Sequence, residues 1–270
     1  MVISNSHVFF FFMKGEGFLI YITFLVLLVL AIVLYMVKEA LENNVLTHEV
    51  ELNGELDDVT LFFISDIHVR RVSEKMIQSI SKKVDAVIIG GDLADKRTPI
   101  DRIYSNITLL KSLGPVYFVW GNNDREVGET QLRQLFEETG VHILEDDAIL
   151  LHQNKKIWLS AVDFSIKNSA RLQKTFEKVQ NNGVNFFISH NPQVFPSVLK
   201  QYKEQVHFLM GGHLHGGQIR FGSFGIHPHG SFSTIEGVPT LISNGYGTTL
   251  LPLRLGARPQ CHIIDVKFKR

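Results

Sequence analysis

Five short apolar runs, each stopping at a cluster of Gly, Asp, Asn or His, limit what this chain can fold into more than any other feature. The runs are Thr60–Ser65 (TLFFIS), Asp85–Gly90 (DAVIIG), Pro115–Trp120 (PVYFVW), Val184–Ser189 (VNFFIS) and Val206–Met210 (VHFLM). Apolar residues at consecutive positions over so short a stretch describe strands buried on both faces. Helical patterns lie between them. Met76, Ile77 and Ile80 share a face within Ser73–Lys83. A second helix opens with Thr98 as cap, Pro99 at the first helical position and Asp101 at the positive end. A third runs Glu129–Glu138 to a stop at Gly140, and a fourth Ser169–Asn181 to Gly183. Val141–Leu151 and Lys156–Val162 read as strands joined by a polar turn, and Thr240–Ser243 and His262–Lys267 as closing strands. Strands alternating with helices give an α/β class, and the scarcity of helices late in the chain makes the sheet mixed.

The clusters are Asp66-Ile67-His68, Gly90-Gly91-Asp92-Leu93-Ala94-Asp95, Gly121-Asn122-Asn123-Asp124, His190-Asn191-Pro192 and Gly212-His213-Leu214-His215. Taken singly, each of the first four is commonly a turn, a helix cap or a structural histidine. The fifth is stronger, because alternate positions put both imidazoles on one side of an extended chain. Ligands bind at the carboxyl ends of strands in open α/β sheets, so all five are expected to converge on one edge. Asp66, His68, Asp92, Asn122, His190, His213 and His215 then supply seven O/N donors. That is too many for one tetrahedral ion and suits two divalent ions sharing a carboxylate, with Asp92 the natural bridge. Donors without thiolate suit Mn2+, Fe2+/Fe3+ or Zn2+. Two ions ~3.5–4 Å apart activate a shared water and clamp the attacking and leaving oxygens at phosphorus.

Phe18–Val37 carries no charge. As a helix it would rise ~30 Å, enough to cross a bilayer core. A buried core helix and a cleaved signal peptide are the rivals. The run exceeds the ~7–15 apolar residues usual in a signal peptide, and no small-residue cleavage pattern follows it, so an uncleaved anchor is favoured. Lys14 and Lys38 flank the span almost evenly, which leaves the positive-inside count nearly tied. Met13-Lys14 reads as an alternative start that would gather positive charge ahead of the span. On that basis a single pass of the cell membrane is expected, with the catalytic domain outside the cytoplasm. The expected organisation is an N-terminal segment 1–17, an anchor 18–37, a polar connector 38–58 and one domain over 59–270. Lys+Arg and Asp+Glu are both 27, a neutral balance that argues against electrostatic nucleic-acid binding. Cys261 is the single cysteine, so no intrachain disulfide or Cys-based zinc site can form.

In order and type, the five clusters resemble the signature of the calcineurin-like metallophosphoesterases, D-x-H, G-D-x-x-D, G-N-H-[DE], H and G-H-x-H, over roughly residues 59 to 268. His213–Arg220 (HLHGGQIR), Asn244-Gly245-Tyr246-Gly247 and Leu251–Gly256 (LPLRLG) are similar to a bacterial, often membrane-associated branch of YkuE/YaeI-like phosphohydrolases. The resemblance implies a four-layer sandwich of two mixed sheets flanked by helices. It implies that Asp66, His68, Asp92 and His215 bind one ion, and Asp92, Asn122, His190 and His213 the other, with Asp95 steadying a ligand. It further implies hydrolysis of a phosphodiester, phosphomonoester or pyrophosphate by a metal-bridging hydroxide, with Asn123 and Asp124 beside the leaving group.

Two departures stand out. Relatives usually have His at the position of Asn123, and Asn donates a hydrogen bond but delivers no proton at neutral pH. Poor leaving groups should suffer most, since general acid catalysis typically supplies ~10²–10⁴-fold. His227 and His229 are possible substitutes, although ordinary loop histidines are the favoured reading. The other departure is Asn244, where relatives often have Arg. With an anchor keeping the site near a bilayer, a lipid-linked or cell-envelope phosphoester is the expected substrate, and membrane lipid the expected partner. The alternative is a non-catalytic metal-binding scaffold at the membrane that has lost turnover.

Overall fold

The computed structural model describes residues 6–151, 156–164, 169–179 and 183–269. One continuous helix, α1 (Ser6–Ala40), comes first. It is followed by β1 (Val45–Asn53), β2 (Val59–Ile64), α2 (Glu74–Gln78), β3 (Ala86–Ile89), α3 (Ile100–Lys111), β4 (Val116–Val119), α4 (Glu129–Thr139) and β5 (His142–Leu144). Then come β6 (Asp147–Leu150), β7 (Ile157–Ala161), α5 (Ser169–Glu177), β8 (Val184–Ile188), α6 (Phe195–Tyr202) and β9 (Phe208–Gly211). The chain closes with a small hairpin, β10 (Arg220–Phe221) and β11 (Phe224–Gly225), and with β12 (Ser231–Ile235), β13 (Val238–Ile242) and β14 (Cys261–Lys269).

The strands form two six-stranded sheets, in the orders β1-β14-β2-β3-β4-β5 and β12-β13-β9-β8-β7-β6. Both are mixed: β2 to β5 run parallel while β14 opposes β2, and β7, β8, β9 and β13 run parallel while β6 and β12 oppose their neighbours. The uninterrupted apolar runs follow from this layering. Successive side chains of a strand point to opposite faces. On β2, Leu61 and Phe63 enter the core between the sheets with Phe186, Ile188 and Met210. Phe62 and Ile64 face the other way, against Met76, Ile107 and Phe136 of α2, α3 and α4. The outer face of the second sheet, with Phe187 and Leu209, packs on Phe176 of α5 and Val198 of α6. Each fully buried side chain of this size contributes on the order of 2 kcal/mol. The result is the four-layer sandwich that the resemblance implies.

Several local expectations change. Val45–Asn53, inside the expected polar connector, is an edge strand pairing in parallel with β14, from Val45 opposite Cys261 to Asn53 opposite Lys269. Only Val50 of its nine residues is fully buried, so its sequence alternates and reads as polar. Val141–Leu151 is not one strand. It breaks at Glu145-Asp146, where Asp146 has φ +49°, and β5 and β6 join different sheets. α2 stops at Gln78, well short of Lys83, with the Ser73 hydroxyl accepting from the Met76 amide. Pro99 caps α3 instead of occupying its first turn, and the Thr98 hydroxyl turns back to accept from the Asp95 amide. The end expected for the fourth helix at Asn181 lies outside the described residues.

Helix α1 extends past the predicted anchor on both sides. Its Gly17–Ala40 portion has a mean hydropathy of 3.0, and none of its most apolar stretch is buried, which excludes a core helix. The C-terminal end is pinned to the domain. Met36, Glu39 and Ala40 are buried there. The Arg70 guanidinium donates to the carbonyls of Leu41 (2.8 Å), Glu42 (2.6 Å) and Tyr246 (2.5 Å), and the Arg254 amide donates to the Met36 carbonyl at 3.1 Å.

Candidate metal centre

The parallel strands bring the clusters together at their carboxyl ends, and the loops are stitched to one another by backbone bonds. The Asp66 amide donates to the Gly91 carbonyl (2.9 Å), that of His68 to Asp92 (3.1 Å) and that of Gly212 to His190 (3.1 Å). The loops are strained. Asp66, His68, Asp92, His213 and His215 have φ of +54°, +50°, +51°, +71° and +48°. Left-handed backbone disfavours a side chain by ~1–2 kcal/mol per residue, and persists where the surroundings dictate it, typically at functional sites.

Two groups of buried side chains are close enough to hold ions: Asp66, His68 and His215, and Asp66, Asp92 and His190. In the first, His215 Nε2 lies 3.2 Å from Asp66 Oδ1 and 3.3 Å from His68 Nε2. In the second, His190 Nε2 lies 3.3 Å from Asp92 Oδ2 and 4.0 Å from Asp66 Oδ1. Asp66, rather than the expected Asp92, is common to both groups. Asp92 still stands between them, since its Oδ2 is also 3.7 Å from His68 Nε2.

The residues fit divalent ions. The Gly90 carbonyl accepts from His190 Nδ1 at 2.9 Å. A carbonyl only accepts, so Nδ1 carries the proton and Nε2 of the neutral ring carries a lone pair. That Nε2 is buried without a hydrogen bond, facing two carboxylates. Such an atom is reconciled with its neighbours by a cation or by a second proton. Burial opposes protonation, yet Asp92 and Asp66 push His190 up to about 10. The same negative charge favours a metal ion. Burial raises Asp66, but His215 first, then His190 and His68, hold its carboxyl well below the usual range. Burial lowers His215 and His213, keeping both neutral, the form that binds a metal.

The surrounding contacts orient these groups. Asp95 Oδ2 lies 3.4 Å from His68 Nδ1, at ion-pair distance but without hydrogen-bond geometry, and is itself held by Arg97 at 2.6 Å. Asp95 is the residue to which the resemblance assigns a steadying role. The Asn123 amide nitrogen donates to Asp92 Oδ2 at 2.7 Å, and its backbone N–H donates to Oδ1 at 2.9 Å. The resemblance places Asp124 beside the leaving group, and the structure buries its side chain. Its buried carboxylate accepts from the backbone of Asp92 (2.9 Å), Gly121 (2.7 Å) and Ala94 (3.1 Å), fastening the second loop to the third. Asp124 begins a short helical turn, Asp124–Val127, and is its buried residue.

The remaining candidates are less engaged. The His213 backbone N–H donates to both oxygens of Asp66 at 3.1 Å, and its ring meets that of His190 edge-on at 5.0 Å. Asn122 is exposed. His227 is exposed in its loop, and the His229 ring nitrogen is 3.2 Å from the Asn244 amide; neither belongs to the two buried groups. Asn244 is buried and accepts from the Gly230 amide at 2.7 Å, a loop brace and not a substrate contact.

Sequence reasoning missed Arg254. It is fully buried with no carboxylate ion-pair partner among the described residues, and burial lowers it to about 10. Its guanidinium donates to the carbonyls of Gly247 (2.6 Å), Ala257 (2.7 Å), Asn244 (2.8 Å) and His215 (3.2 Å). Arg254 thereby ties the last metal-binding loop to the tail. The LPLRLG motif was the only signal, and it names no role. Beside the centre opens a cleft of about 220 Å³ lined by His68, Asp95, Lys96, Arg97, Asn123 and Leu250 among others.

A family model for calcineurin-like phosphoesterases matches residues 59–217. The chain is 37% identical over 211 residues to the Bacillus subtilis (strain 168) protein YpbG, covering 77% of this chain and 81% of that one. To the metallophosphoesterase YkoQ of the same organism it is 25% identical over 229 residues, with 75% and 81% covered. To the metallophosphoesterase YkuE, again from Bacillus subtilis, it is 24% identical over 220 residues, with 76% of each chain covered. That family works with binuclear divalent centres, and both buried Asp/His groups sit within the matched region. The chain belongs to the calcineurin-like phosphoesterase family, in its bacterial YkuE-like branch, and is a metal-dependent hydrolase of phosphoric esters.

Proposed function

We propose that the chain hydrolyses a phosphodiester or pyrophosphate carried by a lipid or by the cell envelope, from a single-pass anchor formed by α1, with the catalytic domain outside the cytoplasm. The observation that carries the hydrolytic part is the pair of buried Asp/His groups sharing Asp66, with the unpartnered Nε2 of His190 aimed into them. Asp66, His68, Asp92 and His215 would hold one ion, and Asp92, Asn122, His190 and His213 the other. Divalent ions held there would supply Lewis acidity toward a phosphoryl group and a more acidic water. The protein's own share is orientation. The Gly90 carbonyl sets the His190 tautomer, Asp95 steadies His68, and Asn123 holds Asp92 by both oxygens. Lys96 and Arg97 at the cleft attract an anionic substrate. The anchor part rests on the length and apolarity of α1 and on its exposure outside the core.

The full chain in detergent, loaded with Mn2+, is expected to hydrolyse a nitrophenyl phosphodiester, and Asp92→Asn to abolish turnover. No turnover with Mn2+, Fe2+ or Zn2+ would favour the scaffold alternative. Equal rates on lipid and soluble diesters would remove the lipid part. A reporter fused to the C-terminus and active only in the cytoplasm would reverse the topology.

A further inference from the structure

Beyond α1, the most exposed large apolar side chains among the described residues are Ile226 (82%), Leu250 (82%), Phe224 (80%), Phe221 (72%) and Leu251 (63%). They belong to two segments that the fold holds side by side. Gln218 donates to the carbonyls of Thr249 (3.1 Å) and Leu251 (3.3 Å), and the Thr249 amide returns a bond to its Oε1 at 2.9 Å. The Arg220 amide donates to Leu255 at 2.7 Å. The hairpin β10–β11 therefore cannot drift away from the 249–256 segment. At one end of this strip, Phe221 shares a groove of about 550 Å³ with Tyr35 and Glu39 of α1. At the other end, Leu250 lines the metal cleft with His68 and Asn123. Apolar surface thus runs from where α1 leaves its apolar stretch to the rim of the candidate active site. Arg97 and Lys96 at the cleft and Arg258 in the groove add cations beside it.

An exposed apolar strip edged by cations is the surface that settles into a membrane interface. The position of α1 selects this occupant over others. Arg70, Tyr246 and Arg254 lock the end of α1 to the domain, so the face next to Tyr35 has to lie near whatever surrounds the helix. We propose that the 219–226 hairpin and Leu250-Leu251 dock into the bilayer interface beside α1, so that the metal cleft opens onto phosphoester headgroups in the membrane surface. This rests on the reading of α1 as an anchor, and it adds the surface that would make a lipid phosphoester the preferred substrate.

The test uses the full chain in lipid nanodiscs. The native indoles of Trp120 and Trp158 are buried. An F224W substitution should add emission that is quenched by lipids brominated near the headgroup and protected from iodide in the water. Quenching by iodide alone would overturn the proposal. In parallel, the triple variant F221S/F224S/I226S is compared with the parent on methyl nitrophenyl phosphate in solution and on a diacylglycerol nitrophenyl phosphodiester in the same discs. Soluble turnover should be unchanged and lipid turnover should fall about tenfold or more. Equal losses on both substrates, or none on either, would refute the docking role. A pair of chains per disc that separates in the triple variant would identify the strip as a contact between copies and also overturn it. Absence of soluble turnover in the parent would sink the hydrolytic reading while leaving the quenching result to judge docking separately.

Discussion

Replacing Gly91 by Ala should both destabilise the domain and weaken its second metal group, by amounts that can be separated. Gly91 has φ +87°, and a Cβ placed there would lie 2.4 Å from Nδ1 and 2.6 Å from Cγ of His190. The backbone term alone disfavours a side chain by ~1–2 kcal/mol. The overlap is with the ring itself, so His190 has to move. Its bond to the Gly90 carbonyl is then lost, at about 1 kcal/mol, or up to about 3 if the buried groups stay unpaired. The expected loss is about 2–5 kcal/mol. Gly237 provides the control, because its φ is +90° and nothing lies within 4 Å of an added Cβ. Gly237→Ala should therefore lose the backbone term only, about 1–2 kcal/mol. Urea unfolding of the full chain in mild detergent with chelator, followed by tryptophan emission, measures both variants. Calorimetric titration with Mn2+ should then show binding weakened about 10–100-fold in Gly91→Ala, as when a ligand loses its orienting partner, and unchanged in Gly237→Ala. If Gly91→Ala matched Gly237→Ala in stability and the parent in Mn2+ affinity, the placement of His190 against the second loop would be wrong.

Other expectations follow from single contacts. Arg254→Met leaves the carbonyls of Gly247, Ala257 and Asn244 buried without their donor, so thermal unfolding should report a loss on the order of 4 kcal/mol. Burial, with His48 adding to it, lowers His262 from 6.5 to about 3. The unfolded chain therefore binds a proton below about pH 6.5 that the folded chain refuses until about pH 3. This group's contribution is whole above pH 6.5 and shrinks as pH falls, by roughly 2 kcal/mol between pH 6.5 and 5. Urea midpoints of the parent should show that slope and those of His262→Asn should lack it. Asn123→His restores a group able to deliver a proton. Turnover of alkyl phosphodiesters should rise ~10²-fold while nitrophenyl diesters change little, and equal gains on both would refute the leaving-group account.

Much of the fold was legible because both faces of the central strands are buried. Leu61 to Ile64 must all be apolar when sheet packs on one side and helix on the other. The site was legible for a related reason, since strand ends are where such sheets place their loops. What escaped notice lacked that double constraint. β1 is an edge strand with one solvent-facing side, so its Thr47-His48-Glu49 reads as connector. The break at Asp146 depends on a change of sheet, which no local pattern announces. Asp124 belongs to the motif that the resemblance places beside the leaving group. Its carboxylate is used up by three backbone amides, a role visible only once the second and third loops are adjacent. Arg254 could not be placed at all, because its partners are carbonyls and carbonyls leave no trace in a sequence.

The most direct measurement is the metal content of the full chain together with the electron paramagnetic resonance of its Mn2+-loaded form. The two buried groups predict two ions per chain and the broad multiline signal of an exchange-coupled pair, with Asp92→Asn, which removes the carboxylate proposed to serve both ions, collapsing it to isolated ions. One ion per chain, or an uncoupled six-line signal in the parent, would contradict a two-metal centre.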